Sequence, residues 1–142
     1  MKRMLSVLAL FALLTSCQAQ PGDKAQEKTQ NEDSKDPSFS NVDVDQASTM
    51  IHDKEVIVLD VRTPREFEAG HLVDARAMNF YDEDFEQQLQ DLPKDQPYLL
   101  YCQSGNRSGQ TMLKMKELGF DEVYNLQGGI TAWKNSGQSV TK

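Results

Sequence analysis

Two short apolar runs limit what this chain can fold into more than any other feature. Val56-Ile57-Val58-Leu59 ends in Asp60, and Tyr98-Leu99-Leu100-Tyr101 ends in Cys102. Each run is continuous rather than alternating, is too short for a helix, and is rich in β-branched, aromatic or aliphatic side chains. That is the pattern of a strand buried on both faces, the strand type of a parallel sheet covered by helices. Helical segments separate these strands. Val44–Ile51 has apolar residues at helical spacing, with Asp43 as its N-cap. Pro64 opens a short helix within RTPREFEAG, and Gly70 lies just past its end. Asp84–Leu92 stops before Pro93, and Ser108–Leu118 ends at Gly119. Val123-Tyr124 gives one more short strand, and a last helix begins at Ile130–Lys134 after the Gly128-Gly129 turn. The alternation predicts an α/β fold with a central parallel sheet and helices on both faces. In such sheets ligands bind beyond the carboxyl ends of the strands, where Asp60 and Cys102 fall.

Composition removes several classes of function. The 142 residues carry 15 Lys and Arg against 22 Asp and Glu, a net charge of −7. A nucleic-acid binder needs a basic footprint, so nucleic acid is not an expected partner. Two Cys and two His are the whole supply of soft ligands, and their spacing does not suit a four-ligand zinc site. One disulfide at most could form, which excludes a disulfide scaffold.

The chemistry concentrates after Cys102. The order is strand, Cys102, Gln103-Ser104-Gly105-Asn106-Arg107-Ser108, then helix. Gly105 permits positive φ, and Asn106 tolerates it. A loop of this kind can curl so that its backbone N–H groups converge, and the following helix adds its positive end. Arg107 adds a full charge. All three favour an anion at the centre, so they should lower the Cys102 pKa and populate a nucleophilic thiolate. The same donors could stabilise the outer anionic atom of a covalent product.

At this point three stretches carry a resemblance. LDVRTPREFEAGHL (Leu59–Leu72), YCQSGNRSGQ (Tyr101–Gln110) and LQGGITAWK (Leu126–Lys134) resemble those of the rhodanese-like, or sulfurtransferase, family, in the expected order over about residues 39–137. The resemblance implies a rhodanese-like fold and a catalytic Cys that carries sulfane sulfur as a persulfide. It makes Cys102 the sulfur acceptor and Gln103, Ser104, Gly105, Asn106, Arg107 and Ser108 the substrate cradle. It gives Asp60, at the mouth of its strand, an active-site role. Arg62 and Glu66 lie four apart and could pair with each other. His71 reads as a hydrogen-bonded structural residue, and Trp133 with Gly128-Gly129 as packing. Two-domain members that use thiosulfate carry basic residues around the Cys, whereas single-domain members often share the pattern found in this chain. Here Ser104 and Glu66 stand at two of those places.

The expected function is sulfur transfer from thiosulfate or a persulfide, through Cys102, to cyanide or a thiol. It needs no metal or organic cofactor, and a thiol-reducing protein is a possible partner. Two alternatives come from other classes. One is a non-enzymatic sulfur carrier or tethered partner-binding module. The other is a Cys-based phosphatase, but four residues separate Cys102 from Arg107 where the phosphatase signature has five. The shorter ring suits a single sulfur.

The chain's first residues read as a targeting segment rather than part of the fold. Lys2 and Arg3 precede an apolar run, Leu5–Leu14, too short to span a bilayer. It ends in Leu14-Thr15-Ser16-Cys17, which resembles the lipobox of bacterial lipoproteins. Residues 1–16 are then a signal peptide, Cys17 the acylated new N-terminus, residues 17–37 a flexible polar tether, and 38–142 the folded domain. Losing Lys2 and Arg3 would leave 13 basic and 22 acidic residues, a net charge of −9. The expected location is outside the cytoplasm, on a membrane through the lipid, in the periplasm or at the cell surface. Cys17→Ala should therefore give a protein without acyl chains that membranes do not retain. Mass of the mature N-terminus checks this, and an unlipidated N-terminus elsewhere contradicts it.

Overall fold

The computed structural model describes residues 38–142. The expected leader, Cys17 and the tether lie outside the described residues. The elements alternate as read from the sequence, with two additions. Strand β1 is Phe39–Val42, α1 Val44–His52, β2 Ile57–Asp60, α2 Pro64–Glu68 and β3 Arg76–Ala77. Then follow α3 Phe85–Gln90, β4 Tyr98–Tyr101, α4 Asn106–Glu117, β5 Val123–Leu126 and α5 Gly129–Asn135. Strands β1 and β3 were not expected. Both are short edge strands in which polar residues interrupt the apolar pattern, so neither shows the periodicity of a buried strand.

All five strands are parallel, in the order β1-β5-β4-β2-β3. Successive side chains of β4 point to opposite faces. Leu99 and Tyr101 join Val42, Ala47, Val58, Ile130 and Trp133 on one side, under α1 and α5. Tyr98 and Leu100 join Leu59, Leu89, Met115 and Phe120 on the other, under α3 and α4. All four β4 residues are fully buried, which is why that run reads as continuously apolar. Among the described residues no helix is long and apolar enough to cross a membrane.

Helix starts follow the sequence closely where side chains do the capping. Asp43 accepts from the Gln46 N–H at 2.9 Å, and Gln46 answers with a bond from the Asp43 N–H at 3.1 Å. Thr63 and Glu66 form a second reciprocal box at the head of α2. Such a cap contributes about 1 kcal/mol. Helix α4 starts two residues before the expected Ser108. Its N-cap is Gly105 at φ +90°, with no side-chain cap to announce it.

The strand order decides where the site can be. The connection from β2 leads outward to β3 and that from β4 leads the other way to β5, so the chain reverses between β2 and β4. A crevice opens there at the carboxyl ends. The segments following β2, β4 and β5 all begin at that edge.

Candidate active site

Cys102 follows β4 at the middle of this edge and is almost fully buried. The Gly105 N–H donates to its Sγ at 3.1 Å. Gly105 reaches that position through its left-handed backbone, which few other residues adopt cheaply. Burial pushes the Cys102 thiol up. The Ser108 hydroxyl and the backbone N–H groups of Ser108, Ser104 and Gly105 outweigh it, and the pKa lies below its ordinary value. Ser108 sits in the first turn of α4, where N–H groups have no intrahelical partner. Its Oγ is buried and makes no hydrogen bond of ordinary geometry, to the sulfur or to any other atom. The sulfur is its natural acceptor once the thiol ionises. The loop and the first turn of α4 thus both carry groups that lower the Cys102 pKa, with Gly105 in hydrogen-bond contact.

The loop is braced from behind by β5 and its turn. The Asn125 amide donates to the Gly105 carbonyl at 3.2 Å and to Asn41 Oδ1 on β1 at 2.8 Å. The Ile130 N–H donates to the Cys102 carbonyl at 2.9 Å. A Cβ on Gly129 would overlap that same carbonyl and the Gln103 backbone. The Gly128-Gly129 turn does pack, as expected, and what it packs against is the Cys102 loop. Asn125 was not singled out from the sequence. The available signal was a polar residue inside the otherwise apolar strand VYNL.

Other loop residues divide. Gln103 faces α5: its amide donates to the Thr131 hydroxyl at 2.9 Å, and its carbonyl accepts from that residue's N–H and hydroxyl. The Asn106 side chain accepts from Gln110 at 2.7 Å on the exposed side of α4. Ser104 is exposed and offers its N–H to the sulfur.

The expected Arg62–Glu66 pair does not form. Arg62 turns back on Asp60, with Nε at 2.9 and 3.0 Å from its two oxygens and a terminal nitrogen at 2.6 Å. It also donates to the Gly70 carbonyl and lies over the Tyr101 ring. Asp60 is fully buried, and its carboxylate accepts from the backbone and the guanidinium of Arg62. A buried carboxylate requires a partner, and the nearest guanidinium is two residues away. Asp60 therefore holds the β2–α2 connection and does not reach the sulfur's hydrogen-bond shell. His71 stacks on Phe67, with Nδ1 3.1 Å from the Phe67 carbonyl, in keeping with a structural role.

Glu66 is left for Arg107. The two side chains form a fork, with contacts of 2.8 and 3.1 Å. Arg107 also holds Glu66 down to about 2, against a carboxylate's usual 4.5, helped by Thr63 and opposed by burial. The ring of Tyr81, exposed to 65%, lies 5.6 Å from the Arg107 guanidinium. The full positive charge expected at the loop is thus compensated by a carboxylate from α2. Among the described residues no group of three or more Cys, His, Asp or Glu side chains could hold a metal ion.

Comparison with known proteins agrees with this architecture. A family model described as a rhodanese-like domain matches residues 43–136. The chain is 40% identical over 76 residues to the uncharacterized protein YqhL of Bacillus subtilis, a match that covers 54% of this chain and 59% of that protein's length. It is 33% identical over 102 residues to a protein of Allochromatium vinosum named sulfurtransferase, covering 71% of this chain and 94% of that one. The crystal structure of a rhodanese-related protein from Thermoplasma volcanium superposes with a TM-score of 0.65 at 26% identity, over 72% of this chain and 98% of that one.

Two outcomes follow from the geometry. Ser108→Ala should shift the pH profile of Cys102 alkylation upward and slow alkylation at neutral pH about tenfold, the effect of losing a hydrogen bond to a charged group. Arg107→Ala should shift that profile less, because its charge is already met by Glu66. Stopped-flow alkylation of the three proteins checks the order. The Glu66 carboxylate also links stability to pH. Its pKa is lowered on folding, so its contribution is complete above its ordinary value and is lost as pH falls from 4.5 towards about 2. Urea unfolding should show wild type ahead of Glu66→Gln by about 1 kcal/mol at neutral pH, after discount for partial exposure, with the gap closing in acid.

Proposed function

Because the chain belongs to the rhodanese-like domain family, we propose that it is a sulfurtransferase in which Cys102 carries sulfane sulfur. The observation that carries this reading is the buried Cys102 sulfur, which receives the Gly105 N–H at 3.1 Å and whose pKa is held down by donors converging from the loop and from α4. The thiolate attacks the outer sulfur of a donor, thiosulfate or a persulfide. The donor's S–S bond breaks, and sulfite or a thiolate leaves with the electron pair. Cys102 now bears one extra sulfur, whose negative charge lies among the N–H groups of Ser104, Gly105 and Ser108. An acceptor thiolate or cyanide then attacks that outer sulfur, and Cys102 departs as the thiolate it was before. The balance requires no metal or organic cofactor.

The leader supports a second part of the proposal. The domain would be exported, cleaved before Cys17, lipidated there, and held near a membrane by the tether. Its acceptors and any thiol-reducing partner would then be met outside the cytoplasm.

The test is intact mass. After treatment with thiosulfate or a small persulfide the protein should gain one sulfur atom, and cyanide should remove it. Cys102→Ser, nearly isosteric, should fold normally and gain none. Sulfur transfer retained by Cys102→Ser would exclude the persulfide mechanism.

A further inference from the structure

The charge at the mouth of the crevice has a consequence for the donor. Within the loop from Gln103 to Ser108, Arg107 is the one charged side chain. Both of its terminal nitrogens are committed to Glu66, at 2.8 and 3.1 Å. Glu66 is itself fixed, because one of its oxygens accepts from the Thr63 N–H and hydroxyl at 3.0 and 2.7 Å. The guanidinium therefore cannot turn to an incoming anion without leaving a carboxylate behind. The aromatic cover of Arg107 is Tyr81, and the next three residues are the exposed Asp82, Glu83 and Asp84. On α4 itself, Lys114 is 3.3 Å from Glu86 and 3.8 Å from Glu117. Within the loop, what remains to receive negative charge is the uncharged cradle of N–H groups around the sulfur. Such a cradle acts on an anion through dipoles and not through a full charge.

Resting on the sulfurtransferase reading, we infer that Glu66 is a specificity-determining residue that sets this site to take sulfur from an organic persulfide in preference to dianionic thiosulfate. With thiosulfate, the Cys102 thiolate and the donor bring three negative charges together. The products, a Cys102 persulfide anion and sulfite, carry the same three. With a persulfide R–S–SH, the thiolate attacks the outer sulfur and the S–S bond breaks. R–S⁻ leaves with the pair, and the proton stays on the transferred sulfur. That route gathers one negative charge, or two where the persulfide is ionised. A paired Arg107 penalises the first route far more than the second, since Coulomb repulsion grows with the product of the charges. Glu66 acts here as a counter-charge, and the same fork that anchors α2 to the loop sets the donor preference.

The chain and its Glu66→Gln variant are each reacted with thiosulfate and with 2-hydroxyethyl persulfide, and the Cys102 persulfide is followed by mass. Gln suits the third position of a capping box, so the head of α2 should survive the change. The ratio of rate constants, thiosulfate over persulfide, should rise about tenfold in the variant, equivalent to about 1.4 kcal/mol. An unchanged or lower ratio overturns the inference. A second measurement needs no variant. In the wild-type chain, added inert salt should speed the thiosulfate reaction more steeply than the persulfide reaction, because it screens like charges. A thiosulfate rate that falls with salt reveals net attraction by Arg107 and also overturns the inference. If neither donor places sulfur on Cys102, the sulfurtransferase reading itself fails. If both do and the ratio stays fixed, only the donor preference fails.

Discussion

The left-handed backbone at Gly105 is the constraint on which the site depends. At φ +90° it reverses the chain three residues after Cys102, so its N–H points back to the sulfur and its carbonyl points to α4 and β5. That carbonyl is taken twice, by the Gly109 N–H of α4 at 3.0 Å and by the Asn125 amide at 3.2 Å. One residue thus starts the helix, places the first donor on the sulfur, and ties the loop to the neighbouring strand. A side chain there would meet the Gly128 N and the Leu126 carbonyl at 3.1 and 3.2 Å. The close approach of the β5 turn and the absence of a Cβ are the same fact seen from two sides. Preorganisation is paid for in the fold, so the donors need not rearrange when charge arrives at the sulfur.

The second requirement is a rigid frame on the other side of the crevice, and a buried ion pair supplies it. Burial alone would lower the Arg62 pKa, but the bonds and charge of Asp60 reverse that and keep the guanidinium charged. Arg62 then bridges from the end of β2 to the Gly70 carbonyl, across the whole of α2. Tyr101, the last residue of β4, accepts the Leu72 N–H on its hydroxyl at 3.1 Å. The α2 segment buries no side chain of its own, so hydrophobic packing does not position it. Polar anchoring at both ends does, and this sets Glu66 at the height of Arg107. Breaking one partner of such a buried pair typically costs about 3–5 kcal/mol, because a lone charge remains inside.

Much of this was legible in the sequence, for reasons that differ by residue. The buried strands showed as Val56–Leu59 and Tyr98–Tyr101 because a strand covered on both faces has no polar positions. The caps of α1 and α2 showed because Asp43 and Thr63 do their work within three residues. The candidate site at Cys102 showed because a strand, a Cys, a Gly-containing loop and a helix follow one another without a break. What stayed hidden depends on contacts far apart in sequence. Arg62 and Glu66 have helical spacing, and local logic pairs them. The structure instead pairs Glu66 with Arg107, 41 positions away, and returns Arg62 to Asp60. Asn125 bonds to residues 20 and 84 positions distant. Strands β1 and β3 lie at the edges, where one exposed side removes the apolar signal.

These arrangements divide the labour between geometry and charge. The donors nearest the sulfur are backbone groups and one hydroxyl, all neutral, and they fix where a single negative charge can rest. The charged groups stand one layer further out and are matched in pairs, Asp60 with Arg62 and Glu66 with Arg107. A neutral inner layer lowers the thiol pKa without holding the leaving group, because dipoles fall off faster with distance than charges do. A free cation in the same place would retain every anion that departs. A sulfur carrier must release its leaving group after the first step and its cargo after the second, so both steps gain from a site that stabilises one atom closely and attracts anions weakly. On the proposed reading, the pairing of Arg107 would leave the cradle to act on the transferred sulfur alone.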